Sequence, residues 1–331
     1  MAGETILLSR DAILKSVDVA ETVDAIEAAM KAFERGEDYL PPKTILALPV
    51  GPEGNSYAAC ITGMTKETDL LTMKLGQERT DNPGRGLPTT NSWILAFEPA
   101  TGELRAICDG AIPTMYRTGA AAAVSTRHLA REDARVLAVI GTGNLGRQCI
   151  RATASVRDFE EILLFDQNRE AVEAVVGELP GEFEVPVRYA EAEEACRSAD
   201  VVVTATNSRS PIVLSEWIQP GTHLACMGTD MGEKIECEME LMPRCRIFAD
   251  FPEHVAQRGE VSQAIEAGIL SENCFEGSLG QVMNGAIAGR NSADEITLYD
   301  GVGIGVQDTA IVWRILEVAK ANGVGVLFAF S

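Results

Sequence analysis

The sequence predicts an α/β protein, a doubly wound parallel sheet joined to a smaller α+β part. Three observations predict it. From Arg135 onward, short and nearly continuous apolar runs alternate with segments of helical period, as strands buried on both faces and linked by helices do. The first third instead carries consecutive strand-like runs broken by turn residues, the pattern of an antiparallel sheet. A glycine-rich turn, Gly141-Thr142-Gly143-Asn144-Leu145-Gly146, follows the first of the buried runs and opens a helix.

With 331 residues the chain is long enough for about two domains. A helix is expected from about Asp18 to Arg35, with Val19, Val23, Ile26, Ala29, Met30 and Phe33 on one stripe. The stretch from Gly36 to Pro42 closes it. Strand-like runs follow at TILALPV, at NSYAACITGM after a Gly-Pro-rich turn, at LLTMKLGQE and at NSWILAFEP, with Pro99 and Gly102 supplying a tight connection. Beyond Arg135 come ARVLAVIG, a helix to about Val156, EILLFD, a helix from Glu170 to Leu179, and VPVRYA. A short helix from Glu191 to Arg197 and the strands DVVVTAT, HLACMG and CRIFAD continue the alternation. ITLYDG is a last strand, and Val306 to Ala321 an amphipathic helix with Ile311, Ile315 and Val318 on one face.

Lys plus Arg number 28 and Asp plus Glu 49, a formal net charge of −21. Such a surface repels nucleic acid and anionic membranes, so an anionic ligand must find a local group of cations. The first residues lack the basic flank and apolar core of a signal peptide, and no apolar stretch approaches the roughly 18 residues of a membrane span. Eight scattered cysteines without a C-x-x-C pair fit reduced thiols, and a cytoplasmic protein is expected. Cys237, Cys245 and His254 match no standard zinc spacing, so no metal is expected.

In the glycine turn, Gly141 permits the tight bend, Gly143 lets a pyrophosphate approach the backbone, and Gly146 lets helix and strand pack closely. The helix N-terminus then offers N–H groups and positive partial charge to phosphates, which makes this a Rossmann-type dinucleotide site. Asp166, twenty residues after Gly146, stands where a carboxylate accepts hydrogen bonds from the adenosine ribose and repels a 2′-phosphate. NAD is therefore favoured over NADP; Arg169, three residues on, is the group that would serve a 2′-phosphate.

Three cations of the first third, Lys43, Lys74 and Arg117, sit among apolar or small residues, where an unpaired charge is costly. In an acidic protein they suggest a pocket built for a carboxylate. Met64, Met73, Trp93 and Met115 are candidates either for the pocket wall or for core packing.

At this point the sequence resembles the ornithine cyclodeaminase/mu-crystallin family. The matching stretches are PPKTIL, TMKLGQERTDNPGRGLPTTNSWILAFEPATGELRAICDG, MYRTGAAAAVSTRHLA, VIGTGNLGRQ, TATNSRSPIV, MGTDMGEK and EITLYDGVGIGVQD, in the family's order over nearly the whole chain. The resemblance implies that Lys43, Lys74 and Arg117 grip a substrate carboxylate. It makes Asp230, of the GTD segment, the acid/base group, with Lys74 beside it in the catalytic set. The first of the three cations is commonly an arginine in relatives. Cofactor contacts are implied for Thr118, Asn144, Leu145, Thr206, Ser208, Met227 and Gly228, with Val302 and Gly303 over the nicotinamide. Residues 1-116 with 305-331 would form a substrate-binding and dimerisation domain, and 117-304 the NAD-binding domain. The implied activity is NAD(H)-dependent hydride transfer at the α-carbon of a small 2-amino or 2-imino acid, as in alanine dehydrogenases or imino acid reductases, by a homodimer. Where many relatives carry a lysine-serine pair this chain has Asp300-Gly301, which sets it apart from ornithine or lysine cyclodeaminases, the alternative that releases ammonia and recycles NAD. A mu-crystallin-like small-ligand binder is the alternative of another class.

Overall fold

The computed structural model describes residues 4–48, 56–79, 82–88, 90–179 and 181–330. In chain order the elements are β1 (Thr5–Leu8), α1 (Arg10–Leu14), α2 (Val19–Glu34), β2 (Thr44–Leu48), β3 (Ser56–Thr65), β4 (Leu70–Glu78), β5 (Thr90–Phe97), β6 (Leu104–Asp109) and α3 (Ala111–Leu129). There follow β7 (Val136–Ile140), α4 (Asn144–Ala154), β8 (Glu161–Phe165), α5 (Arg169–Glu178), β9 (Val187–Tyr189), α6 (Ala192–Ser198), β10 (Val201–Thr204), β11 (Arg209–Val213), β12 (His223–Cys226) and β13 (Ile235–Cys237). The last are β14 (Cys245–Ala249), α7 (Pro252–Arg258), α8 (Ser262–Glu266), β15 (Phe275–Ser278), α9 (Leu279–Met283), β16 (Ile296–Asp300), α10 (Gly305–Ala321) and β17 (Val326–Phe328). The end of the expected TILALPV strand at Pro49 and Val50, and the Gly-Pro-rich turn after it, lie outside the described residues. Among the described residues no helix is long and apolar enough to cross a membrane.

The chain divides into two compact units, Met1–Arg117 with Ile304–Ser331, and Thr118–Gly303. Each junction lies one residue from the boundary read in the sequence, so that Arg117 and Ile304 go with the first unit.

The first unit holds a seven-stranded sheet in the order β17-β1-β6-β5-β4-β3-β2. Only β1 and β6 run parallel. The sequence reading did not draw β1, α1 and β17, which span three to five residues each, too few for a period to show. Val23, Ile26, Ala29 and Met30 form the buried stripe of α2, and Asp18 caps it by accepting from Glu21 N at 2.9 Å. α10 packs against α2, β3 and β4. Two glycines make that approach possible: a Cβ on Gly63 would lie 2.2 Å from Gly305 C, and one on Gly305 would lie 2.1 Å from Thr62 O. Thr309 Oγ1 then donates to Gly63 O at 2.9 Å and contacts Thr72 Oγ1 at 2.7 Å. The first turn of α10 is thereby fixed beside the middle of β4.

The second unit holds an eight-stranded, wholly parallel sheet in the order β15-β14-β16-β12-β10-β7-β8-β9. Ile140, Leu163, Val202, Leu224 and Leu298, one from each of five neighbouring strands, contribute to its core, which is why these strands read as unbroken apolar runs. Strand order reverses between β7 and β10, the position where open sheets of this kind leave a crevice at their carboxyl ends.

Candidate active site

The glycine turn stands at that reversal. Gly141 closes β7 with φ of +99°, a conformation that side chains resist, and a Cβ there would lie 2.6 Å from Ala205 O. A Cβ on Gly146 would lie 1.9 Å from Gly141 O, so helix and turn meet backbone to backbone. Gly143 differs: a Cβ there would meet nothing within 4 Å. It is also the N-cap of α4, with no side chain making the cap bond. A cavity of about 360 Å³ opens here, lined by Gly141, Gly143, Asp166, Thr206, Asn207 and Ser208 among others. Open backbone, an uncapped helix N-terminus and this volume fit the pyrophosphate and adenosine ribose of a dinucleotide.

Asp166 follows β8 and lines the cavity, yet it also braces the turn. Its Oδ2 accepts from Thr142 N at 2.8 Å and Thr142 Oγ1 at 3.2 Å, and its Oδ1 from Asn168 N at 3.0 Å. A carboxylate has about four acceptor positions, so one remains for a ribose hydroxyl. Arg169 donates through Nε to Glu173 at 3.2 Å and stacks over Tyr189 at 4.6 Å. A 2′-phosphate would have to compete with Glu173 for it and face Asp166 as well.

Of the other residues expected on the cofactor side, Thr206, Ser208, Met227, Gly228, Val302 and Gly303 follow the carboxyl ends of β10, β12 and β16. Thr206 and Ser208 follow β10; Ser208 Oγ donates to Ser210 O at 2.6 Å. Met227 and Gly228 follow β12, Met227 N donating to Thr204 O at 2.9 Å. Gly303, at φ +76°, donates through N to Asp250 Oδ2 at 2.6 Å, and Val302 beside it is buried. Thr118 is buried within α3, Asn144 is exposed and Leu145 half-buried at the first turn of α4. Asp230 is half-exposed on the loop after β12. Lys234, which the sequence reading passed over, donates to Asp230 Oδ1 at 2.8 Å and to Asn207 Oδ1 at 3.3 Å. Of the residues weighed for zinc, Cys237 Sγ lies 3.8 Å from Cys226 Sγ, Cys245 Sγ donates to Leu241 O, and the His254 ring packs edge-on against Phe251.

In the first unit, Lys74 and Arg117 meet on one carboxylate that the sequence reading missed. Lys74 Nζ lies 2.9 and 2.8 Å from the two oxygens of Asp308, and Arg117 Nε lies 3.2 Å from Oδ1. Lys74 also donates to Thr114 Oγ1 at 3.3 Å, and Arg117 Nη1 to Gln307 Oε1 at 3.4 Å. Lys74 is 4% exposed, Arg117 7% and Asp308 1%. Burial pushes the Lys74 ammonium down to about 8 against the pull of Asp308, with Arg117 and Lys43 adding repulsion. Burial alone would raise Asp308, but the charges of Lys74 and Arg117 outweigh it and hold the carboxyl below its usual range. Lys43 is half-buried and close enough to act on both groups. The expectation that buried cations need an anion is therefore met first by the chain's own aspartate. Two buried cations on one buried carboxylate, Lys74 and Arg117 on Asp308, leave a surplus of positive charge there.

Strand alternation sorts the remaining candidates. Lys74 faces inward, while Met73 and Leu75 face the other way, and Trp93 lies directly opposite Leu75. Register places Met64 on that outer face too, and Met115 packs into the first unit's core. Met64, Met73 and Trp93 thus lie across the sheet from Lys74, and none of them forms the wall around it.

The sequence profile of the ornithine cyclodeaminase/mu-crystallin family matches residues 3–323. The chain belongs to that family. The iminosuccinate reductase of Paracoccus denitrificans is 34% identical over 91% of this chain and 92% of its own. An archaeal alanine dehydrogenase dimer with bound NAD superposes with a TM-score of 0.93 at 28% identity, covering 99% of this chain and 100% of that one. The Δ1-pyrroline-2-carboxylate reductase of Thermococcus litoralis, in complex with NADH and L-proline, also gives 0.93, at 27% identity over 97% and 99%.

Proposed function

We propose that this family member is an NAD(H)-dependent oxidoreductase that interconverts a small 2-imino acid and its 2-amino acid. The observation that carries this reading is the surplus of buried positive charge around Asp308, in a chain whose second unit is shaped for a dinucleotide. Its relatives include an alanine dehydrogenase, an iminosuccinate reductase and a pyrroline-2-carboxylate reductase. All three names denote chemistry at a carbon bearing both nitrogen and carboxylate.

When bound, NADH supplies a hydride for the α-carbon. The chain's own residues do the rest. Lys74, Arg117 and Lys43 hold the substrate carboxylate, which fixes the orientation of the α-carbon. Asp230, held by Lys234, moves a proton to or from the substrate nitrogen. Gly141, Gly143, Gly146 and the first turn of α4, Asn144 and Leu145, take the pyrophosphate. Asp166 takes the ribose, and Thr118, Thr206, Ser208, Met227, Gly228, Val302 and Gly303 complete the cofactor contacts.

An assay of NADH oxidation with pyruvate plus ammonia, oxaloacetate plus ammonia, or Δ1-pyrroline-2-carboxylate tests the reading. Turnover with at least one is expected, and none with all three would oppose it. Asp230→Asn is expected to leave NADH affinity within about twofold while lowering kcat by 10²-fold or more, a typical loss for a proton-transfer group. Titrating NADH fluorescence and measuring kcat separates the two effects. A second expectation concerns pH. Lys74 loses its charge above about 8, so the free enzyme's kcat/KM should hold below that pH and fall above it. A flat profile from pH 7 to 9 would remove Lys74 from the carboxylate grip.

The first unit also offers a surface for pairing. Leu46 at 62% exposure, Leu75 at 47% and Trp93 at 57% share the outward face of β2, β4 and β5. An apolar sheet face of this kind supports a homodimer built on the first unit. A cytoplasmic location agrees with eight free cysteines.

A further inference from the structure

Four carboxylates without a part in the proposed reaction lie buried near the carboxyl edge of the second unit's sheet. Glu236, Asp250, Glu260 and Asp300 are each at most 3% exposed. Buried carboxylates are costly, and each of these returns bonds to the backbone. Asp300 accepts from Val261 N at 3.0 Å and Asp250 from Gly303 N at 2.6 Å. Glu260 accepts from Glu236 N at 2.8 Å, from Cys237 N at 2.6 Å and from the Thr229 hydroxyl. Glu236 does something different, because its two oxygens reach two separate loops. Oε1 accepts from Thr206 N at 2.6 Å, on the loop after β10. Oε2 accepts from Gly228 N at 3.0 Å, on the loop after β12, and from Thr204 Oγ1 at 2.6 Å. Gly228 is packed into this junction: a Cβ there would lie 2.2 Å from Thr206 O and 2.5 Å from Glu236 Oε1.

We propose that Glu236 is a positioning residue for the dinucleotide, tying the Thr206–Ser208 loop, which lines the cofactor cavity, to the Gly228–Asp230 loop, which carries the acid/base group. Glu260 supports it from behind by gripping the Glu236 backbone. The proposal rests on the reading of the second unit as an NAD(H) site. No side chain other than Glu236 bonds to both loops through their backbone N–H groups among the described contacts.

The pair also has a pH signature. Burial, and then the neighbouring Glu236 charge, push Glu260 up to about 8, and burial raises Glu236 as well. Other titratable groups acting with Glu260 are Asp300 on β16, with Asp250 beside it, and the thiols of Cys226 on β12 and Cys237 on β13. Below about 8 Glu260 is protonated and places no second charge beside Glu236. Above about 8 a second negative charge develops beside it and strains the junction.

The test is NADH affinity by fluorescence titration at pH 7 and pH 9, with thermal melting of the cofactor-free protein to check folding. Glu236→Gln leaves one acceptor oxygen for three donors, and Gly228→Ala forces the junction apart by crowding Thr206 O and Glu236 Oε1 while leaving the carboxylate charged. Both are expected to weaken NADH binding about tenfold at pH 7, the equivalent of about one lost charge-assisted bond. Wild-type protein should lose several-fold affinity between pH 7 and pH 9, and Glu260→Gln should abolish that loss. If Glu236→Gln fails to fold, the pH dependence of Glu260→Gln decides. Wild-type affinity in the folded variants, or an unchanged pH dependence in Glu260→Gln, overturns the proposal alone. A wild-type protein that does not bind NADH overturns the functional reading and the proposal with it.

Discussion

Replacing Arg117 with alanine is expected to lower kcat/KM for the imino acid by about a hundredfold or more, mostly through KM. Arg117 stands on α3, buried beside Lys74, and its Nε bond to Asp308 leaves other guanidinium N–H groups for a substrate carboxylate. A charge-assisted hydrogen bond contributes about 1.5–3 kcal/mol, and 1.4 kcal/mol is a factor of ten. The substitution also removes the surplus of positive charge that Lys74 and Arg117 together leave over Asp308. Stability should change less than activity, because Asp308 keeps both of its contacts with Lys74. Arg117→Lys should recover part of the loss, since it restores the charge without the fork. Steady-state kinetics at saturating NADH, alongside a melting curve, provide the check. An Arg117→Ala enzyme with wild-type kcat/KM would mean the carboxylate is held elsewhere.

Removing Asp308 is expected to have the opposite profile, a loss of fold stability of about 3–5 kcal/mol. Asp308→Ala leaves Lys74 and Arg117 buried with no counter-charge between them. The cost comes from these stranded cations, so a second change should relieve it. Lys74→Met in the Asp308→Ala background should recover part of the stability, with a coupling of about 2 kcal/mol in a double-mutant cycle. Urea unfolding of the four proteins measures it. Strictly additive losses would show that the ion pair does not organise the first unit.

Much of the second unit was legible because its signals are local. Strands such as β7 are buried on both faces and read as apolar runs, and Gly146 is required by its close approach to Gly141 within the same turn. Asp166 was singled out by its distance from that turn and lines the same cavity, although its bonds to Thr142 were not foreseen. The three cations were found because charge among small and apolar residues is conspicuous. Asp308 was not, since it lies 234 positions from Lys74 and an acid in a helix's first turn is ordinary. The pair Gly63 and Gly305, which lets α10 reach β3, was the only trace of that contact, and its meaning needs both partners in view. Glu236 and Glu260 were hidden for another reason: among 49 acidic residues, buried ones look like solvated ones.

The central claim is a net transfer of hydride between nicotinamide C4 and the α-carbon of a substrate held by its carboxylate, with the hydride kept in the product. Incubating the enzyme with NADH deuterated at C4 on the transferred face, together with each candidate imino acid, tests it directly by NMR and mass spectrometry of the product. The account predicts one deuterium at the α-carbon of a 2-amino acid, with one NADH consumed per product. Ammonia release from ornithine or lysine with no net loss of NADH, or a product without deuterium at that carbon, would contradict it.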